Sequence, residues 1–215
     1  MPSAKGSRPP SVAIPPRLGV LISGRGSNLQ SIISAIADRR LDARIAAVVS
    51  NRADAPGLEH ARAAGIETIH LNPRDYPTRD AYDQAIASAL IACGVSLVCL
   101  AGFMRLVGRP LLDAFPNRIL NIHPSLLPSF PGLDAPRQAL EHGVRVTGVT
   151  VHLVTAGLDD GPIVLQTAVR VLEGDTVETL AERILVEEHR IYPEAIQIVL
   201  AGHWTIAGRR FVRGQ

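Results

Sequence analysis

The chain reads as an α/β protein: a doubly wound, mostly parallel sheet with helices on both faces. Three observations predict this. Short continuous apolar runs recur as they do in strands buried on both faces, segments with helical apolar spacing separate them, and glycine or proline punctuates the junctions. Leu18-Gly19-Val20-Leu21-Ile22 is a buried first strand closed by Ser23-Gly24. A helix from about Ser27 carries Leu29, Ile32, Ile33 and Ile36 on one face and stops at Asp38-Arg39-Arg40. Ile45 to Val49 is the second strand, Gly57 to Ala64 a helix ended by Gly65, and Thr68-Ile69-His70 a brief third strand. Thr78 to Ala92 is a helix with Thr78 placed to cap it. Ser96 to Leu100, closed by Ala101-Gly102, and Arg118 to Ile122 complete the βαβ run. Beyond an irregular Pro124 to Gly132 come a short helix, Ala135 to Glu141, and two strand-like segments, Val146 to Val154 and Ile163 to Val171. A final amphipathic helix spans about Thr176 to Leu200, with Leu180, Ile184, Ile191 and Ile196 on its apolar face and a bend expected near Pro193.

At 215 residues and 47% hydrophobic content the chain suits one domain with a full core. No linker or repeat divides it. Residues 1–16 are expected as a disordered Pro-rich tail, 17–207 as the catalytic domain and 208–215 as a basic tail. Cys93 and Cys99 have no cysteine or histidine at metal spacing and are expected as reduced, buried thiols. No apolar run reaches the roughly 20 residues of a membrane span, and no h-region follows the N-terminal cations, so the expectation is a cytoplasmic protein with no membrane partner. Lys5, Arg8 and Arg17 at one end, with Arg209, Arg210 and Arg213 at the other, account for the net +2; without those six cations the body stands at −4. A pI near 8.8 built that way, with few aromatics, gives no nucleic-acid surface. Lys5 is the only lysine, which excludes a pyridoxal-phosphate Schiff base or a P-loop on the folded body.

Two places carry chemistry. Asn121-Ile122-His123-Pro124 ends the fifth strand, because Pro124 lacks the N–H that a continuing ladder needs. Asn121 and His123, two residues apart, share one face: an amide donor for an oxyanion beside a group that moves protons near neutral pH. The acidic turn Leu158-Asp159-Asp160-Gly161-Pro162 is expected opposite them, where a carboxylate raises the His123 pKa and favours the imidazolium. The second place is Ser23-Gly24-Arg25-Gly26-Ser27-Asn28, between the first strand and its helix, where orphan N–H groups and the helix dipole suit a phosphate. A dinucleotide fingerprint fails there, since Leu29 replaces a small residue and Ser50-Asn51 stands where an acid would bind ribose. A tight turn without a ligand remains the alternative.

With Leu100-Ala101-Gly102-Phe103-Met104-Arg105 and Asn121-Ile122-His123-Pro124-Ser125-Leu126-Leu127-Pro128, these motifs occur in one order, and the chain from about 18 to 203 resembles the phosphoribosylglycinamide formyltransferases. That resemblance implies a single formyltransferase-type domain acting in purine biosynthesis, with glycinamide ribonucleotide and 10-formyltetrahydrofolate as small-molecule substrates and no metal. It implies that Asn121, His123 and Asp159 are catalytic, that Gly26, Ser27, Asn28 and Glu188 hold the ribonucleotide, and that Arg79, Met104, Arg105, Leu106, Val107 and Asn121 flank the folate. The amine would attack the formyl carbon directly, with no covalent enzyme intermediate. Many such enzymes have glycine at the place of Asp160, which leaves two adjacent carboxylates to choose between. The alternatives are a formyltetrahydrofolate hydrolase, a tRNA formyltransferase and a noncatalytic folate- or nucleotide-binding module. The sequence allows a homodimer without requiring one.

Overall fold

The structure, a computed structural model, describes residues 15–214. The tail expected at 1–16 therefore lies outside the described residues, except for Pro15 and Pro16. Nine strands form one sheet in the order β3-β2-β1-β4-β5-β6-β7-β9-β8. β1 (Arg17–Ile22), β2 (Arg44–Ser50), β3 (Thr68–His70), β4 (Leu97–Leu100) and β5 (Ile119–His123) are mutually parallel. β6 (Val146–Leu153) runs antiparallel to β5, β7 (Ile163–Arg170) antiparallel to β6, and β9 (Arg210–Arg213) parallel to β7. β8 (Trp204–Ala207) closes the edge antiparallel to β9. The winding reverses between β1 and β4, and the crevice beyond those strand ends is where such sheets bind ligands.

Alternation along the strands builds two cores. Val20, Val48 and Cys99 point to one face, under α1 (Ser27–Ala37), α2 (Gly57–Ala63), α5 (Ala135–Glu141) and α6 (Val177–Ala201). Their neighbours Leu21, Val49 and Val98 point to the other, under α3 (Arg79–Ala92) and α4 (Arg109–Ala114). The doubly wound arrangement expected from the apolar runs is therefore present, with helices on both faces. Thr78 caps α3 by accepting a hydrogen bond from the Ala81 N–H at 3.1 Å, and Thr176 and Thr179 form a reciprocal capping box on α6. α6 continues through the buried Pro193 as one helix of 25 residues.

Three readings are corrected. The basic tail expected at 208–215 is not found among its described residues: Gly208-Arg209 is a tight turn and Arg210–Arg213 a strand, because Phe211 stacks on Trp204 at 5.0 Å and the Trp204 indole N–H donates to the Val199 carbonyl at 3.0 Å. The folded domain thus extends beyond residue 207. α4 was not expected; six residues containing Pro110 are too short to show a period. Cys99 is buried as expected, whereas Cys93 is only partly buried, beside Glu67.

Candidate active site

β5 carries the site because its last residues emerge where the parallel strands end. Asn121 and His123 lie on one strand face, and the antiparallel register with β6 sets His152 directly opposite Asn121. The turn after β6 then brings Asp159 over both. His123 Nδ1 stands 3.4 Å from Asp159 Oδ2, and the Asn121 Nδ2 amide stands 3.4 Å from Asp159 Oδ1 and 3.2 Å from His152 Nε2. Asn121, His123 and Asp159 are thus brought together as expected.

Asp159, not Asp160, faces the imidazole. The Asp160 carboxylate turns back over Gly157 and accepts from the Thr155 hydroxyl. Asp159 adopts a left-handed backbone with φ +49° and is held by the Gly132 N–H, which donates to Oδ2 at 2.8 Å. Burial opposes ionisation of Asp159, but the His152 and His123 rings in their protonated forms and the Gly132 N–H prevail and hold its carboxyl below the ordinary range.

The expected rise in the His123 pKa is not found. His123 is 4% exposed, and burial pushes its pKa below the ordinary imidazole value despite the Phe130 carbonyl and Asp159, which raise it. Its Nε2 lies 2.8 Å from the Phe130 carbonyl, which requires a proton on Nε2. The neutral ring therefore presents a bare Nδ1 toward Asp159, the edge at which a proton can be taken up and stabilised.

His152 was missed. It is 2% exposed; its Nδ1–H donates to the Leu153 carbonyl at 2.9 Å, so in the neutral ring Nε2 accepts from Asn121. That bond fixes the amide orientation and leaves the second Asn121 N–H on a 3.4 Å contact to Asp159, too long to be strong and easily redirected to an oxyanion. Its only trace in the sequence was a histidine within an alternating strand; the partner is set by β5–β6 register.

A cavity of about 460 Å³ opens beside these groups, lined by Met104, Arg105, Leu106 and Val107 on one side and by Thr155 to Asp159 on the other. Four of the expected folate residues thus line the same wall as Asn121 and His123. Arg79 does not; it stands 3.9 Å from the buried Asp83, whose carboxylate accepts from the Gly108 N–H at 2.6 Å and pins the 103–108 segment to α3.

At the first βα turn, Gly26 has φ +75°, and a Cβ there would lie 2.6 Å from the Gly57 Cα, so only glycine fits. No side chain caps α1, leaving its first N–H groups free for an anion. The Asn28 side-chain amide donates to Glu188 Oε2 at 2.7 Å, a contact between residues 160 apart that joins the expected ribonucleotide residues of α1 and α6. Burial pushes the Glu188 carboxyl up, against that bond and the Arg25 charge. Ser23 links this turn to the cavity, since its hydroxyl accepts from the Met104 N–H at 2.9 Å.

Residues 16–196 match the family described as Formyl transferase. Among curated proteins, the chain is 43% identical over 184 residues to a phosphoribosylglycinamide formyltransferase of Bacillus subtilis, covering 86% of this chain and 94% of that protein. It is 49% identical over 186 residues to the trifunctional purine biosynthetic protein adenosine-3 of Homo sapiens, 86% of this chain but only 18% of that protein's length. Its fold superposes with a TM-score of 0.94 on the crystal structure of glycinamide ribonucleotide transformylase 1 from Symbiobacterium toebii, 59% identical and covering 99% and 100% of the two chains.

Proposed function

The chain belongs to the formyl transferase family, and from that membership we propose that it moves the formyl group of 10-formyltetrahydrofolate to the amine of glycinamide ribonucleotide. The observation that carries the reading is the meeting of Asn121, His123 and Asp159 at the wall of a cavity large enough for a folate's reactive end. In this reading the ribonucleotide phosphate sits on Gly26, Ser27 and Asn28, with Glu188 against the rest of that substrate. The folate lies along Met104 to Val107, with Arg79 at the far end of that segment, and the reaction belongs to purine biosynthesis in the cytoplasm.

The amine attacks the formyl carbon and its oxygen becomes an oxyanion. The Asn121 N–H that rests weakly on Asp159 turns to that oxygen, while the N–H on His152 keeps the amide in place. The ammonium formed by that attack gives up a proton through the His123 Nδ1 edge, where Asp159 stabilises the resulting charge, and a proton is returned to N10 as its bond to the formyl carbon breaks and tetrahydrofolate leaves. No side chain forms a bond to the formyl carbon. The test follows tetrahydrofolate release with and without glycinamide ribonucleotide. Release that depends on the amine is expected; equal release into water would favour a hydrolase, and folate binding without release a noncatalytic module.

A further inference from the structure

Asp159 sits in a conformation that needs support. A left-handed backbone at a residue with a Cβ persists only where its surroundings enforce it. The Gly132 N–H holds the carboxylate, but the backbone on the far side of the turn needs its own anchor. Three contacts supply it. The Asp160 carboxylate folds back onto Gly157 and Thr155, closing the loop on itself. Gly161 presses against the Leu153 carbonyl, where no Cβ would fit, and the Leu153 N–H donates to the Pro162 carbonyl at 2.9 Å. The Arg209 guanidinium, from the tight turn of the β8–β9 hairpin, donates to the Asp160 carbonyl at 2.7 Å.

The third contact differs from the others because it comes from outside the loop, 49 residues away in sequence. A cavity of about 520 Å³ lies beside this contact, lined by Leu127, Pro128, Ile163 and Phe211 together with Asp160 of the loop and Arg209 of the hairpin. Through its bond to the Asp160 carbonyl, Arg209 spans from the hairpin to the loop. The hairpin end of that span is fixed, since β9 pairs with β7 at Arg210–Ile163 and Trp204 is anchored on the last turns of α6. We propose that Arg209 is a positioning residue for the formyl-transfer site: it latches the catalytic loop to the C-terminal hairpin and so holds Asp159 against His123. The hairpin is then a working part of the site. Asp160 serves as a brace and a carbonyl for the latch, not as a second catalytic carboxylate.

The proposal rests on the formyl-transfer reading, so its test has one arm that needs no turnover. The groups facing His123 are Asn121 of its own strand, His152 of β6, the Phe130 carbonyl of the 124–132 segment and Asp159 of the loop. Only Asp159 is held through the latch. The His123 ring is titrated by NMR in the full chain and in Arg209→Ala, Arg209→Lys and Arg210→Ala. Arg210→Ala removes the same charge from the next residue, the first of β9, whose side chain makes no hydrogen bond to the loop among the described residues. A loosened Asp159 supports the imidazolium less, so Arg209→Ala is expected to lower the His123 midpoint, Arg209→Lys to restore much of it and Arg210→Ala to leave it in place. In parallel, Arg209→Ala is expected to lower kcat roughly tenfold, inside the 10²-fold that a misplacement of about 1 Å can cost, with the KM for glycinamide ribonucleotide little changed. An unmoved His123 midpoint in Arg209→Ala, or the same shift in Arg210→Ala, would overturn the latch. An inactive parent protein would overturn the formyl-transfer reading instead and leave the NMR result to decide the latch alone.

Discussion

At Asp159 a left-handed backbone and a largely buried carboxylate meet on one residue, with the Asn121 amide and the His123 ring each 3.4 Å away. Replacing Asp159 by Ala removes a neighbour of the Asn121 amide and of the His123 ring together, so the losses should not add as independent terms. Asn121→Ala is expected to slow formyl transfer by about 10²- to 10³-fold, as removal of an oxyanion donor does. His123→Ala is expected to slow it by about 10²- to 10⁴-fold. Both are read from tetrahydrofolate release, with circular dichroism to verify the fold. The pH behaviour follows from burial. His123 stays neutral below the ordinary imidazole pKa of about 6.5, so the acid limb of kcat/KM should lie below that value. The sign for stability is the same: a lowered His123 pKa means the unfolded chain binds the proton more readily, so this group's contribution is complete above about pH 6.5 and is lost as pH falls toward the folded value. Asp159→Asn removes a charge that raises the His123 pKa, so NMR should place the His123 midpoint of that variant lower still. A midpoint that rises would contradict the geometry.

The elements deliver these residues, and their legibility in the sequence differs for physical reasons. β1, β2, β4 and β5 were readable because strands buried on both faces must be continuously apolar, and α1 and α6 because one wide face of each meets the core. The pairing of Asn121 with His123 was readable because a strand fixes what i and i+2 share. His152 was not readable as a partner, since cross-strand register follows from the whole β5–β6 ladder, and the pairing of Asn28 with Glu188 follows from helix packing. Burial also reversed the expected direction of the His123 shift, and how deeply a side chain is buried is a property of the assembled layers. Two element-level substitutions test the supports. Gly26→Ala forces a left-handed backbone on alanine and drives its Cβ into the Gly57 Cα; it is expected to lose at least about 1–3 kcal/mol from the backbone alone, measured by denaturant unfolding, and to weaken ribonucleotide binding. Asp83→Ala releases the Gly108 N–H and with it the 103–108 segment. Its KM for the folate is expected to rise more than its KM for the ribonucleotide, and an equal rise in both would show that the segment does not serve one substrate.

Across the whole molecule, α6 ties the first βα turn to the ends of β4 and β5. Glu188 meets Asn28 at the first βα turn, and one helical turn later the buried Tyr192 hydroxyl lies 2.9 Å from the Leu100 carbonyl and 3.2 Å from the Leu120 carbonyl, beside the strand ends that carry the site. Tyr192→Phe leaves that polar junction without its donor and is expected to destabilise the fold by about 1–3 kcal/mol, read from the denaturation midpoint at unchanged slope. The C-terminal hairpin completes the sheet past β7, and its arginines could be read only as a basic tail because four-residue strands with few apolar positions show no period. These supports converge on one claim, that the formyl group passes from folate to amine at Asn121, His123 and Asp159 with no stop on the protein. The most direct measurement is a single turnover with isotopically labelled 10-formyltetrahydrofolate, excess protein and glycinamide ribonucleotide, followed by separation of protein, product and formate. All label is expected on the ribonucleotide amine at a rate that collapses in His123→Ala; label on the protein, or in formate, would contradict direct transfer.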